Sequence, residues 1–258
     1  MKLREKITVV FLFINLFSYD GTSHWDYSLG GGARSLPIGL SVFSEVGHNL
    51  LLWGEKIDNE NEYNYGYLRP SLQLSTSGLV TKPGVFLDVF PISFFGLTLG
   101  SAYSWRFTKL DTIDCSSAHC GGGLQRTILK TKLLLGYEAF FLAVIQKLEF
   151  LFPMLKDRGF ADESSTLVGQ KGYDRVWFQE YVLGYTLSEK YKVGMIFDFS
   201  KMLHSQNRSD QKLLFMNRAF TNWSLVGGAG LYQSSTQLQA FTGFILMEWQ
   251  LSPSYALD

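Results

Sequence analysis

The chain has 258 residues, enough for one large all-β domain without division into two. Its 23 basic and 23 acidic residues cancel, so no net field points to nucleic acid or to anionic lipid. Charged residues make up 18%, below the roughly 25% of soluble domains, while aromatic residues reach 16%. A mean hydropathy of only +0.04 excludes a bundle of transmembrane helices and suits strands that are apolar on one face and polar on the other.

The N-terminus reads as a signal for export. Lys2, Arg4 and Lys6 precede an apolar run from Ile7 to Phe17, broken only by Thr8 and Asn15, and small residues follow at Ser18, Gly21 and Ser23. The run is too short to span a bilayer, so residues 1–23 are expected to be a signal peptide cleaved between 18 and 23. An N-terminal anchor is the alternative. Residues 24–258 then form one barrel domain.

Beyond residue 24 the dominant signal has period two. Leu97, Leu99, Tyr103, Trp105 and Phe107 alternate with Thr98, Gly100, Ala102, Ser104 and Arg106. Leu129 to Tyr137, Trp177 to Leu187, Val193 to Phe199 and Phe241 to Leu251 repeat the pattern. The predicted strands are 25–34, 38–53, 63–76, 84–90, 94–107, 126–138, 141–152, 174–187, 191–202, 212–222, 225–233 and 238–250. Pro37, Pro70, Pro83 and Pro91 perturb pairing in the first half.

These strands number about twelve, with ten to fourteen compatible with the pattern, and most are near ten residues, the length a tilted strand needs to cross a bilayer. Aromatic residues gather at strand ends, as at Trp25 and Tyr27, Trp177, Trp223 and Trp249, where interfacial girdles fall. Long connections at 108–125, 153–173 and 203–211 alternate with short ones near 139–140, 188–190 and 223–224. The apolar stretch 132–152 carries Lys132, Glu138, Lys147 and Glu149. It therefore reads as a tight hairpin rather than as a membrane helix.

The expected fold is thus all-β, a closed antiparallel transmembrane β-barrel. The layout resembles that of bacterial outer-membrane β-barrel proteins over nearly the whole mature chain. The resemblance implies a location in the bacterial outer membrane, contact with its lipid, and insertion by the barrel assembly machinery. Such barrels often end on an aromatic residue that this machinery reads. Here the last strand is followed by Leu251 to Asp258, which places such a signal internally, around Trp249.

No motif assigns a reaction or a cofactor. The tetrad His204-Ser205-Gln206-Asn207 is the nearest approach to the His-x-Ser-Asn-Gly pattern of outer-membrane phospholipases, with Ser209 as a second nucleophile. Ser directly follows His, however, and adjacent strand residues point to opposite faces. Asp111, Asp114 and His119 share one loop, as an outer-membrane aspartyl-type protease would need, but acidic loop rims are common. Gly30-Gly31-Gly32 and Gly121-Gly122-Gly123 lack the Lys-Ser/Thr of a phosphate loop. Cys115 and Cys120 are expected to form a small loop disulfide rather than a metal site.

The remaining lead is the set of charges expected to face the lumen: Arg69, Arg106, Lys130, Lys132, Glu138, Lys147, Glu149, Glu180, Lys192, Asp198, Arg218 and Glu248, with Arg34 and Asp88 beside them. They fit a narrow, charge-selective channel or a closed barrel filled by mutual salt bridges. The readings carried forward are a non-enzymatic barrel with an unidentified solute or surface partner, a lipid hydrolase, and a secreted soluble all-β binding protein.

Overall fold

The computed structural model describes residues 23–35, 39–54, 65–107, 115, 118–235 and 239–250. Residues 1–22 of the expected signal peptide, Asp111, Asp114 and residues 251–258 lie outside them. Among the described residues fifteen strands form: β1 (Ser23–Arg34), β2 (Gly39–Trp53), β3 (Gly66–Thr76), β4 (Val80–Ile92), β5 (Phe95–Arg106), β6 (Ala118–His119), β7 (Gly122–Tyr137), β8 (Phe140–Pro153), β9 (Gly159–Asp162), β10 (Leu167–Gly169), β11 (Asp174–Ser188), β12 (Tyr191–Met202), β13 (Arg208–Ala219), β14 (Trp223–Ser234) and β15 (Ala240–Gln250). Twelve of them close a barrel of antiparallel neighbours in which β1 pairs with β15. The short β6, β9 and β10 make a separate small sheet.

Closure satisfies every edge, which a bilayer demands because lipid offers no hydrogen bonds. The two-residue period decides which side chains meet lipid. Leu72, Leu74, Val85, Leu99, Leu214 and Ile245 are among the outward apolar residues that stay exposed. In water such a band would be an aggregation surface, which argues against a soluble domain. Two aromatic girdles bound it. At the end holding the turns 93–94, 138–139, 189–190 and 220–222, Phe220 stacks on Trp223 (3.8 Å) and Phe140 meets Tyr185 (4.9 Å). At the other end Tyr103 meets Trp105 (4.5 Å) and Phe152 meets Tyr173 (5.1 Å).

Several element boundaries differ from the sequence reading. β4 runs through Pro83 and Pro91 because each sits at an interruption of its ladder to β5: no Cα partner is paired at Pro83, and the register slips between Val89 and Ile92. β13 begins at Arg208, four residues before its predicted start. Its phase turns Leu214, Met216 and Arg218 outward.

Inside the barrel, phenylalanine rings lie on glycines of the neighbouring strand. Gly30 opposes Phe43, Gly100 opposes Phe86, Gly184 opposes Phe141, Gly194 opposes Phe215 and Gly228 opposes Phe244. A Cβ on any of these glycines would overlap the facing ring. The pairs let rings lie flat on the wall, so much of the inner surface is apolar even though the charges dominate its pattern.

Candidate functional site: a lumen closed by an inward loop

The connection 154–173, between β8 and β11, is the longest at its end of the barrel, and it turns inward. Its strands β9 and β10, joined by β6 into one small sheet, bury Phe160 and Leu167 against the inner side chains Leu124, Leu151, Val176 and Met202. The tip Asp162–Thr166 then touches walls on nearly opposite sides. Ser164 Oγ accepts from Lys82 Nζ on β4 (3.4 Å), and Thr166 Oγ1 meets the Tyr232 hydroxyl on β14 (3.0 Å). In the twelve-strand ring, β4 and β14 are five places apart by the shorter way round. The tip therefore straddles the lumen.

Its principal anchor is Arg126 on β7, a cation fully enclosed in the barrel. Its Nη1 donates to Glu149 Oε2 on β8 (2.8 Å), its Nε to Ser104 Oγ (3.0 Å), and its Nη2 pairs with Asp162 Oδ1 (2.7 Å) and with Glu163. Buried charges at such cost hold only when paired and hydrogen-bonded. The tip holds its carboxylates in place by local bonds. Asp162 also accepts from the Ser165 backbone N–H (2.9 Å) and hydroxyl, an Asx-type turn. Arg106 on β5 adds a second tie, donating to the carbonyls of Gly122 (3.2 Å), His119 (3.3 Å) and Ala161.

The Cys115–Cys120 disulfide forms (S–S 2.05 Å) and packs on Ala161 and Val168 of the inward sheet. His119 Nε2 sits 2.7 Å from Asp157 Oδ1, and that hydrogen bond holds the exposed Asp157 carboxyl below the ordinary carboxylate range. Among the described residues no group of His, Cys, Asp and Glu could hold a metal ion.

A second arginine organises the β1–β4 wall. Arg69 donates two parallel bonds to Asp26 (2.8 and 2.6 Å), and its Nη1 reaches Glu45 and Asp88 Oδ2 (3.4 Å). Bidentate geometry of this kind fixes the planar fork. The barrel holds internal cavities of about 320 and 180 Å³, which share Lys130 and Lys147.

Of the charges expected in the lumen, Arg69, Arg106, Lys130, Lys132, Lys147, Glu149, Glu180, Lys192, Asp198 and Glu248 lie at inward positions of the register. Two do not. Glu138 sits in the β7–β8 turn with φ 51° and is exposed, because a tight hairpin needs positive φ there. Arg218 faces outward at the girdle, its guanidinium 4.7 Å from the Phe220 ring and 5.5 Å from that of Tyr191. The sequence reading overlooked Arg126, Lys82, Asp162 and Glu163. The length of the 153–173 connection and its Asp-Glu-Ser-Ser tip were the available signal.

The hydrolase constellation does not assemble. Ser205 Oγ donates to the Val168 carbonyl (2.9 Å), and Ser209 Oγ to that of Ser165 (3.4 Å). His204 lies in the β12–β13 connection, its Nδ1 3.4 Å from the buried Asp174 and its Nε2 3.4 Å from Arg175 Nη2. No hydrogen bond among the described residues joins His204 to a serine hydroxyl.

Solved structures share this architecture. An outer membrane channel from Pseudomonas putida F1 aligns at a TM-score of 0.50 with 8% identity, covering 90% of this chain and 97% of that one. The fold is that of an outer-membrane barrel. The KdgM porin (TM-score 0.45, 12% identity, 88% and 99% covered) and the NanC porin (0.46, 10%, 87% and 100%) are also similar. At such identities the likeness speaks for the fold alone. No protein-family model matches the sequence, and no curated protein matches it.

Proposed function

We propose that this chain is a narrow solute channel of a bacterial outer membrane, constricted by its own inward loop. The observation that carries the reading is the tip Asp162–Thr166, bonded to Arg126, Lys82 and Tyr232 across the lumen. A barrel serving only as a wall does not need a loop tied across its interior, whereas a channel uses one to set its bore and charge. In this reading residues 1–23 direct export, the barrel assembly machinery inserts the chain, and lipid meets the apolar band. The loop end then faces outward from the cell and the turn end faces the periplasm, following the habit of such barrels. The activity is passage and not catalysis, supported by the commitment of the Ser205 hydroxyl to a backbone carbonyl.

The test is conductance. The purified full-length protein, reconstituted into planar bilayers in potassium chloride, is expected to give small discrete steps. Bilayers that stay silent, with the protein folded and inserted, would refute the channel.

A further inference from the structure

The larger cavity has an arrangement of charge that a purely structural lumen would avoid. Lys130 and Lys147 are direct cross-strand partners on β7 and β8, and Glu180 and Asp198 are direct partners on β11 and β12. All four face inward and line the same 320 Å³ cavity beneath the loop tip. Like charges set directly opposite destabilise a sheet, and opposite ones stabilise it. Elsewhere in the lumen opposite charges meet: Arg69 faces Asp88 across β3 and β4, and Arg126 gathers three carboxylates, while the like-charged Lys201 and Arg208 oppose each other only at exposed positions.

Direct contact cancels these charges only in part. Lys147 pairs with Glu149 (2.8 Å) and lies over the Phe178 ring (3.9 Å). Lys130 makes no hydrogen bond or ion pair among the described residues. Asp198 Oδ1 is buried without a hydrogen-bond partner. Arg34 lines the cavity too, and Lys132 stands two residues along β7 from Lys130. Two like-charged pairs on four consecutive strands thus line one small space, in which Glu180 and Asp198 hydrogen-bond to each other and Lys130 has no direct partner among the described residues.

We infer that this cavity is a binding site for a small zwitterion of the α-amino acid class. The ligand's carboxylate would sit between Lys130 and Lys147, and its ammonium between Glu180 and Asp198. A cation between two carboxylates offsets their repulsion and supplies donors to Asp198 Oδ1, which a hydroxyl does only in part. The volume is at the small end of ligand cavities, about 300–1,000 Å³, and so fits a single amino acid rather than a peptide. The inference rests on the channel reading for its physiological sense, since it names what the channel prefers to pass.

The test uses the full-length protein in proteoliposomes, with initial uptake of labelled L-serine, L-lactate, ethanolamine and glycerol compared at equal low concentration. L-serine is expected to enter fastest. Both K130Q/K147Q and E180Q/D198N should lower its rate about tenfold relative to that of glycerol in the same variant, the scale of one lost charge-assisted contact. Heat-modifiability on gels checks that each variant folds, and single substitutions replace a double that does not. Equal entry of serine and glycerol, faster entry of lactate or ethanolamine than of serine, or indifference of serine to both variants would overturn the site. If no solute enters, glycerol included, the channel reading has failed by itself. Saturation-transfer NMR of L-serine with the detergent-folded barrel then decides the site: transfer lost in both variants supports it, and no transfer to the parent protein overturns it.

Discussion

Replacing Arg126 with methionine should release the inward loop. Arg126 is the only cation whose bonds reach both the wall carboxylate Glu149 and the tip carboxylates Asp162 and Glu163 among the described residues. Removing one partner of a buried, hydrogen-bonded charge group costs about 3–5 kcal/mol, because the remaining charges are left uncompensated. Part of that cost is relieved if the tip swings out and its two carboxylates reach water. At about 1.4 kcal/mol per tenfold change, full relief would shift the ratio of open to closed loop by roughly two to three and a half decades, and partial relief by less. The assay is single-channel recording of R126M against the parent protein. Larger steps, longer dwell in the open level and a loop newly open to protease are expected. A second variant, R126M/E149Q/D162N/E163Q, removes the stranded charges and should return conductance toward the parent value. A folded R126M barrel with unchanged conductance and a protected loop would refute the clamp.

Other outcomes follow from named contacts. Reducing Cys115–Cys120, which closes a very short loop, should cost about 2 kcal/mol of local order and expose the 107–121 and 154–173 connections to protease while the barrel itself stays heat-modifiable. Gly184→Leu drives a side chain into Phe141 and should lower stability by about 1–3 kcal/mol in urea unfolding. Gly136→Ala meets only the Phe140 carbonyl at 3.9 Å and should cost far less. Arg218→Ala should leave ion selectivity untouched and cost about 0.5–1 kcal/mol through its lost ring contacts, whereas Lys130→Gln should shift selectivity toward cations. A selectivity change in R218A would contradict its outward placement.

The barrel was legible in the sequence because its wall follows one rule of period two, with apolar residues such as Leu99, Leu129, Leu214 and Ile245 at outward positions. The lumen was legible only where the phase of a strand was. Glu149 and Asp198 follow correctly from neighbours such as Phe150 and Phe199, which must point to lipid. Arg218 was misplaced because the run Lys212 to Asn217 shows no clean alternation, so its sequence does not reveal that Leu214, Met216 and Arg218 share the outward face. Glu138 was misplaced because the turn takes one residue more than the alternation allows. The inward loop was not legible, since its polar tip reads equally as a solvated rim. Only the approach of Asp162 and Glu163 to Arg126, far away in sequence, distinguishes the two. The glycine–phenylalanine pairs were hidden for the same reason, because register across strands is not written within any one strand.

The most direct test of a closed membrane barrel is the behaviour of the full chain extracted from membranes and run on a denaturing gel with and without boiling. Such a barrel predicts that the protein stays with the outer-membrane fraction and that its unboiled band runs at a different position from its boiled one. A protein found in the soluble fraction, with a band that boiling does not move, would contradict the barrel in the membrane and with it the channel, the clamp and the site.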